Sequence, residues 1–357
     1  MEYGQFARRL NAQALVQRLP LSGSLELTSR CNLACVHCYL KTPVGQLDQE
    51  LSTQQWFGLL DELAEAGCLW LLITGGEPLS RPDFLDIYLY AKKRGFIITL
   101  FTNGTLLTPA VADVLAQWPP GEVEVSIYGH TPEVFDTVTR VPGSYARCHQ
   151  GIQLLRARGL PVNLKTVALT LNQHELGDMQ RFAQDLGLDF RYDAEINAGM
   201  DGDLSPCALR LPPESVVQLD RANPERWAEL QRLLANYGGA PENPQALYQC
   251  GAGTTSFHID ACGRLSICLM ARERSYPLAQ GGFHQGWHTF LAQEANRQRR
   301  RHTPCNHCNL TVLCGQCPGF AYVEHGDPET TVEFLCRIAQ LRAAALRTPT
   351  GGHHLED

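Results

Sequence analysis

The 357-residue chain lacks several features that would decide its class outright. No apolar run reaches the roughly 20 residues needed to span a bilayer. The first residues, Met1-Glu2-Tyr3-Gly4-Gln5, show no basic start followed by an apolar core, so no secretory signal is expected. Basic charge is not in excess: 30 Lys and Arg stand against 37 Asp and Glu, and the net charge of -7 gives no general attraction to nucleic acid. Internal repeats and low-complexity tracts are absent. What remains is a cytoplasmic globular protein with neither membrane nor nucleic acid as an expected partner. Hydrophobic residues make up 44% of the chain and charged residues 19%, enough for a real core and too apolar for long disorder.

Cysteine, by contrast, is plentiful. Its 14 copies cluster in short metal-type spacings and are not spread like a secreted disulfide framework, which suits a reducing, oxygen-poor setting. The first group is Arg30-Cys31-Asn32-Leu33-Ala34-Cys35-Val36-His37-Cys38-Tyr39. Iron–sulfur clusters are normally held by four thiolates, so three with no nearby fourth suggest a 4Fe-4S cluster with one open iron. An open iron implies a ligand that takes part in chemistry. A zinc site is the bland reading, but structural zinc closes its tetrahedron, commonly with paired cysteine or histidine arms.

Short β-rich runs alternate with amphipathic segments. Runs 24–28, 69–73, 96–101, 123–127, 162–167 and 188–192 read as strands. Segments 53–66, 82–93, 109–118, 145–158 and 173–186 carry helical spacing. Six βα units predict a parallel sheet with right-handed crossovers and are too few for a closed eight-stranded barrel. The expected fold is therefore α/β, a partial (βα)6 TIM-type barrel with its working residues at the carboxyl ends of the strands. The first strand leads into the cysteine triad. The second ends in Thr74-Gly75-Gly76-Glu77-Pro78, where two glycines allow close backbone approach beside a carboxylate.

In that order, the triad with its aromatic Tyr39 and then the Gly-Gly-Glu-Pro turn resemble the radical S-adenosylmethionine (SAM) enzymes. The resemblance implies that SAM chelates the unique iron held by Cys31, Cys35 and Cys38, and that its reductive cleavage yields a 5'-deoxyadenosyl radical. It also implies that Gly75, Gly76 and Glu77, followed by Pro78, receive the amino group of the methionyl moiety. Ser126 matches a position that touches the ribose or carboxylate. Asn103, Lys165 and Arg191, at or near other strand ends, are further cofactor candidates, with Asp193 beside them. The competing reading for each of these is a satisfied structural polar group.

A second set of cysteines begins at Cys250 and continues through Cys262, Cys268, Cys305, Cys308, Cys314, Cys317 and Cys336. This run resembles the SPASM extension of the same enzymes, which implies two auxiliary Fe-S clusters of the 4Fe-4S kind. By that pattern Cys250, Cys268 and Cys317 serve one cluster, with Cys262 a candidate fourth ligand, and Cys305, Cys308, Cys314 and Cys336 serve the other. The last interval of the block, between Cys314 and Cys317, is one residue shorter than usual in the family, so the assignments of these two cysteines stay open. A zinc ribbon would separate its arms by a longer insert. Cys68, Cys148 and Cys207 fit neither group and read as structural, since a free cysteine behaves as a small hydrophobe. The expected division is an extension over 1–20, the barrel over 21–200, a connecting segment over 201–247 with a helix near 224–236, a loop-rich SPASM domain over 248–345 and a loose tail over 346–357. The basic run Arg297 to His302 reads as a solvated helix face sooner than a dock for an acidic peptide or reductase.

Fe-S potentials span roughly -700 to +450 mV, and reductive cleavage of a sulfonium needs the low end, so a low-potential donor such as flavodoxin or ferredoxin is implied. The resemblance points first to an oxidoreductase that abstracts hydrogen from a peptide, giving a cross-link or similar modification of the RiPP type. Leu269 stands where anaerobic sulfatase maturases carry an aspartate base, which disfavours that branch. The stretch before Ser24 is too short for a winged-helix peptide-recognition domain, so a leader peptide would need a separate small recognition protein or another surface. The alternatives are small-molecule or cofactor biosynthesis and, from another class, a non-catalytic Fe-S electron carrier.

Overall fold

A computed structural model describes residues 12–40 and 49–347; of the expected tail, 346 and 347 belong to a helix ending at Arg347, and the rest, like the first residues read above, lies outside the described residues. Among the described residues nine strands, numbered in chain order, form one sheet in the order β6-β5-β4-β3-β2-β1-β7-β8-β9. The six expected strands are present as β1 (Ser22–Glu26), β2 (Trp70–Thr74), β3 (Ile97–Thr102), β4 (Glu122–Ser126), β5 (Val162–Val167) and β6 (Phe190–Asp193). Each pairs in parallel with the next. Parallel neighbours need crossovers, and the expected helices supply them at Thr53–Glu65, Phe84–Lys93, Pro109–Gln117, Ser144–Arg156 and Leu176–Asp185.

Local chemistry explains why these segments are helical. Ser52 and Gln55 form a capping box at the start of Thr53–Glu65, and the helix buries Trp56, Leu59, Leu60 and Leu63, an i, i+3, i+4, i+7 stripe, against the sheet. Helix Pro132–Thr139 was not legible as a separate element. It begins with Thr131 capping the Val134 N–H and a proline in its first turn, and it ends at Arg140 with φ 56°.

The second half of the chain does not stand apart from the barrel sheet. Strand β7 (Ser256–Ile259) pairs in parallel with β1, Ser22 opposite Ser256 through Leu25 opposite Ile259. Strands β8 (Arg264–Ser266) and β9 (Tyr276–Pro277) then continue it in antiparallel fashion. The join is tight: a Cβ on Gly23 would overlap the Phe257 ring, which packs on Phe283 and Trp287. Helix Glu333–Arg347 docks on Pro213–Ala222 through a buried ion pair, Arg342 Nε to Asp220 Oδ2 at 2.8 Å. The helix expected near 224–236 spans Pro224–Tyr237. Among the described residues no helix is long and apolar enough to cross a membrane.

Candidate active site

The cysteine loop is fastened before it is shaped for any ligand. Residues leaving β1 meet the turn after β2: Gly76 N–H donates to the Thr28 carbonyl and Glu77 N–H to the Arg30 carbonyl, both at 2.8 Å. A Cβ on Gly75 would overlap the Thr28 oxygen, and one on Gly76 the Arg30 oxygen; Gly75 also holds φ 150°. The close approach expected of these glycines is thus first an approach to the cysteine loop's own backbone. On the other side, Ala34 and Val36 donate to the Thr139 and Val138 carbonyls at the end of helix Pro132–Thr139. Glu50 accepts from Thr28 Oγ1 and the Ser29 N–H, steadying the start of the loop.

A cavity of about 360 Å3 opens at the carboxyl ends of the strands, within the usual size of small-molecule sites. Cys31, Cys35 and Cys38 line it, together with Tyr39, Gly75, Gly76, Asn103, Ser126, Lys165 and Arg191. Seven of the nine expected cofactor-binding residues therefore share one cavity with the triad. Glu77 and Pro78 do not line it; both are buried behind the turn. The Glu77 carboxylate accepts from the Asn103 N–H at 2.7 Å, Thr102 Oγ1 at 2.8 Å and the Leu79 N–H at 3.1 Å. It pins the end of β2 to the end of β3. Burial outweighs those hydrogen bonds and pushes its carboxyl up to about 7.

Asn103 is committed twice. Its amide donates to Asn32 Oδ1 at 3.0 Å and leans toward Cys31 Sγ at 3.9 Å, while its carbonyl oxygen accepts from Thr105. Lys165 and Arg191 both reach Glu124 on β4: Lys165 Nζ lies 3.0 Å from Oε2 and Arg191 Nε 3.1 Å from Oε1. Burial pushes Lys165 down to about 7 against the pull of Glu124. Glu124 stays low despite its own burial because Arg191 and Lys165 flank it. One of the two positive charges is thus offset from within the barrel, and the buried carboxylate that does so had no distinguishing local pattern.

The triad fits an iron–sulfur cluster on the chemistry of its donors. Burial pushes the Cys31 thiol up to about 11, with Glu77 and Cys38 adding to it, and burial with Cys38 and Cys31 pushes Cys35 higher still. Three neighbouring thiolates that repel one another need a cationic partner to coexist. Donors are ready for the sulfur of Cys31, from the Leu33 N–H at 3.4 Å and Asn103. His37, within the triad, is driven down to about 4 by burial and packs its ring 5.0 Å from Tyr128. The neutral His37 and Tyr128 give this wall an apolar lining that spacing alone did not reveal.

The later cysteines separate into two neighbourhoods. Burial raises the Cys317 thiol, and Cys268 and Cys250 add to the rise. Burial pushes Cys314 up to about 12, with Glu195, Cys305 and Cys336 contributing, and Cys336 in turn feels Cys308 and Cys305. Cys262 keeps other company: after burial, its thiol is shaped by Asp260, Arg264, Glu50 and Glu26. Among the described residues, no three Cys, His, Asp or Glu side chains converge closely enough to hold a single metal ion. Leu269, next to Cys268, lines the active cavity, as does Glu195, whose carboxylate lies against Gly315 between Cys314 and Cys317. Glu195, Ile196 and Asn197, just after β6, line the cavity without having been expected there. Buried Cys68 and Cys148 are packed in the core.

Residues 25–186 match the Radical SAM superfamily. The chain is 31% identical over 319 residues to mycofactocin maturase MftC of Mycobacterium ulcerans, covering 84% of this chain and 83% of that protein. It is 27% identical over 326 residues to an AdoMet-dependent heme synthase of Methanosarcina barkeri, covering 85% of this chain and 92% of the relative. The fold is that of Streptococcus suis SuiB bound to S-adenosylmethionine, with a TM-score of 0.70 at 15% identity over 93% of this chain and 81% of SuiB.

Proposed function

We propose that this chain, which belongs to the radical SAM superfamily, oxidatively modifies a peptide. The observation that carries the proposal is that the triad and two residues beside the later cysteines, Leu269 and Glu195, line one cavity. Cys31, Cys35 and Cys38 form one wall, Leu269 brings the neighbourhood of Cys268 to another, and Glu195 connects the cavity to the turn between Cys314 and Cys317. Bound at the triad, a 4Fe-4S cluster with SAM supplies hydrogen-atom abstraction at the cavity.

Each task of the protein falls to identified groups. Cys31, Cys35 and Cys38 hold the cluster. The Gly75–Gly76 turn, Asn103 and Ser126 border the space for SAM, and Tyr39 closes the end of the cysteine loop. The Lys165–Glu124–Arg191 group places two cations around one carboxylate on the far side. The neutral His37 and Tyr128 exclude water near the triad. Cys250, Cys268 and Cys317, and Cys305, Cys308, Cys314 and Cys336, would hold two auxiliary Fe-S clusters, which would supply one-electron redox chemistry beside the substrate. The curated relative named mycofactocin maturase, which aligns over most of both chains, supports a peptide substrate. A flavodoxin or ferredoxin as donor, a separate leader-recognition protein and a cytoplasmic setting complete the proposal.

The test is anaerobic co-expression with short peptides encoded beside the gene, followed by mass spectrometry with and without the triple substitution Cys31→Ala, Cys35→Ala, Cys38→Ala. A hydrogen loss or other defined mass change that needs the triad supports the reading. A second reading, oxidation of a tetrapyrrole-type cofactor, is favoured by the nearly full-length relative named AdoMet-dependent heme synthase. Unmodified peptides with 5'-deoxyadenosine still formed would shift the assignment there.

A further inference from the structure

The sheet has two edges, and they are treated differently. At one end β9 is two residues long and contains Pro277, which cannot donate a ladder hydrogen bond. At the other end β6, Phe190-Arg191-Tyr192-Asp193, is four residues long and carries no proline or lysine. Strand β6 pairs only with β5: Leu164 N–H donates to the Asp189 carbonyl and Ala168 N–H to the Asp193 carbonyl. Along a parallel ladder successive residues alternate, so the N–H and C=O of Phe190 and Tyr192 point away from β5. Among the described residues none hydrogen-bonds to them.

Those free groups face an opening. Phe190 through Ala194 all line a groove of about 680 Å3, whose opposite wall comes from Asp220, Asn223 and Arg226. The groove borders the active cavity, with Arg191, Tyr192, Asp193 and Glu195 lining both. Its wall is charged with both signs, Arg226 and Arg232 alternating with Glu225 and Glu229, which suits a solvated polypeptide and not an apolar ring system.

We infer that β6 is a docking rail on which the peptide substrate lies as an added, extended strand. Backbone hydrogen bonds to Phe190 and Tyr192 hold it, and its next residues pass Asp193 and Glu195 into the cavity. Main-chain pairing gives affinity with little demand on sequence, while the alternating side chains meet the charged wall. At about 3.3 Å per residue the four-residue rail spans about 13 Å, so the modified residue lies within a few positions of the docked stretch. This inference rests on the peptide reading above and goes beyond it by assigning where and how the peptide binds.

The experiment uses the full chain with its clusters, under anaerobic conditions, and as probe the synthetic form of a peptide modified in the co-expression test. Hydrogen–deuterium exchange with and without that peptide reads the rail directly: exchange at the Phe190 and Tyr192 amides should slow by about tenfold or more. The same peptide, N-methylated at one backbone position at a time, reads the mode of binding. Strand addition predicts a period of two, with alternate positions weakening binding by about tenfold and their neighbours much less. A peptide that is modified but leaves both amides unprotected, or shows no alternation, overturns the rail and leaves the peptide reading standing. If no peptide is modified at all, both fall together.

Discussion

The two cysteine regions solve the same problem by different means. The triad sits within eight residues, and its loop is held by backbone bonds from Gly76, Glu77, Thr139 and Val138 and by the Asn103–Asn32 contact. The later cysteines extend from Cys250 to Cys336 and rest on short turns and helix ends. Cys317, for example, caps helix Pro318–His325 by accepting the Phe320 N–H at 3.3 Å. A loop fixed by nearby backbone can be read from spacing. A ligand set assembled from distant turns depends on everything that folds between them.

That contrast can be broken most sharply at the triad. Replacing Cys31, Cys35 and Cys38 by Ala should abolish SAM cleavage, measured as 5'-deoxyadenosine, while the iron bound by the later cysteines stays in place. Loss of all iron in that variant would show that the two regions are not independent. Gly76→Ala is the next largest. Its Cβ would overlap the Arg30 carbonyl oxygen, and relieving such an overlap costs about 1–3 kcal/mol, taken up by the cysteine loop. Triad iron and SAM cleavage should both fall, and a variant with full triad iron would mean that the loop yields freely.

Lys165→Met tests the charge balance inside the barrel. With Lys165 near 7 in the folded chain and about 10.4 when unfolded, the unfolded state binds more protons between those values. The lysine's contribution therefore makes stability rise with pH across that window, by at most about 1.4 kcal/mol per pH unit. Denaturant midpoints measured from pH 7 to 10 should show a shallower rise in the Lys165→Met variant. Equal slopes in both proteins would place the lysine's pKa elsewhere. The smallest effect is expected from Cys262→Ser, which should leave iron per chain unchanged because its thiol answers to Asp260 and Arg264. Cys317→Ser should lower iron content, and equal losses from the two variants would return Cys262 to the ligand set.

Much of the site was legible because its parts are local. The triad and the Gly-Gly-Glu-Pro turn each lie on a few consecutive residues at a strand end, and the structure brings the triad, both glycines, Asn103, Ser126, Lys165 and Arg191 to one cavity. Glu77 shows the limit. A carboxylate beside two glycines reads as an offered ligand, yet it is buried and satisfied by Thr102, Asn103 and Leu79. Glu124, Tyr128 and Glu195 were silent because a single acidic or aromatic residue in a strand or loop has no pattern until the sheet closes around it.

The sequence by itself determined the βα alternation, the parallel order of β1 to β6 and the open-iron spacing of the triad. Periodicity and spacing act within a turn or two of chain, where sterics and hydrogen bonding leave few choices. Only the tertiary structure decided that β7 joins β1, a contact spanning 234 residues of chain where Ser24 Oγ meets His258 Nδ1 at 2.7 Å. It likewise decided that β6 is left as an open edge beside a groove. Such pairings are selected by the whole packed core, because the entropy of closing long loops is recovered only when many distant contacts form together.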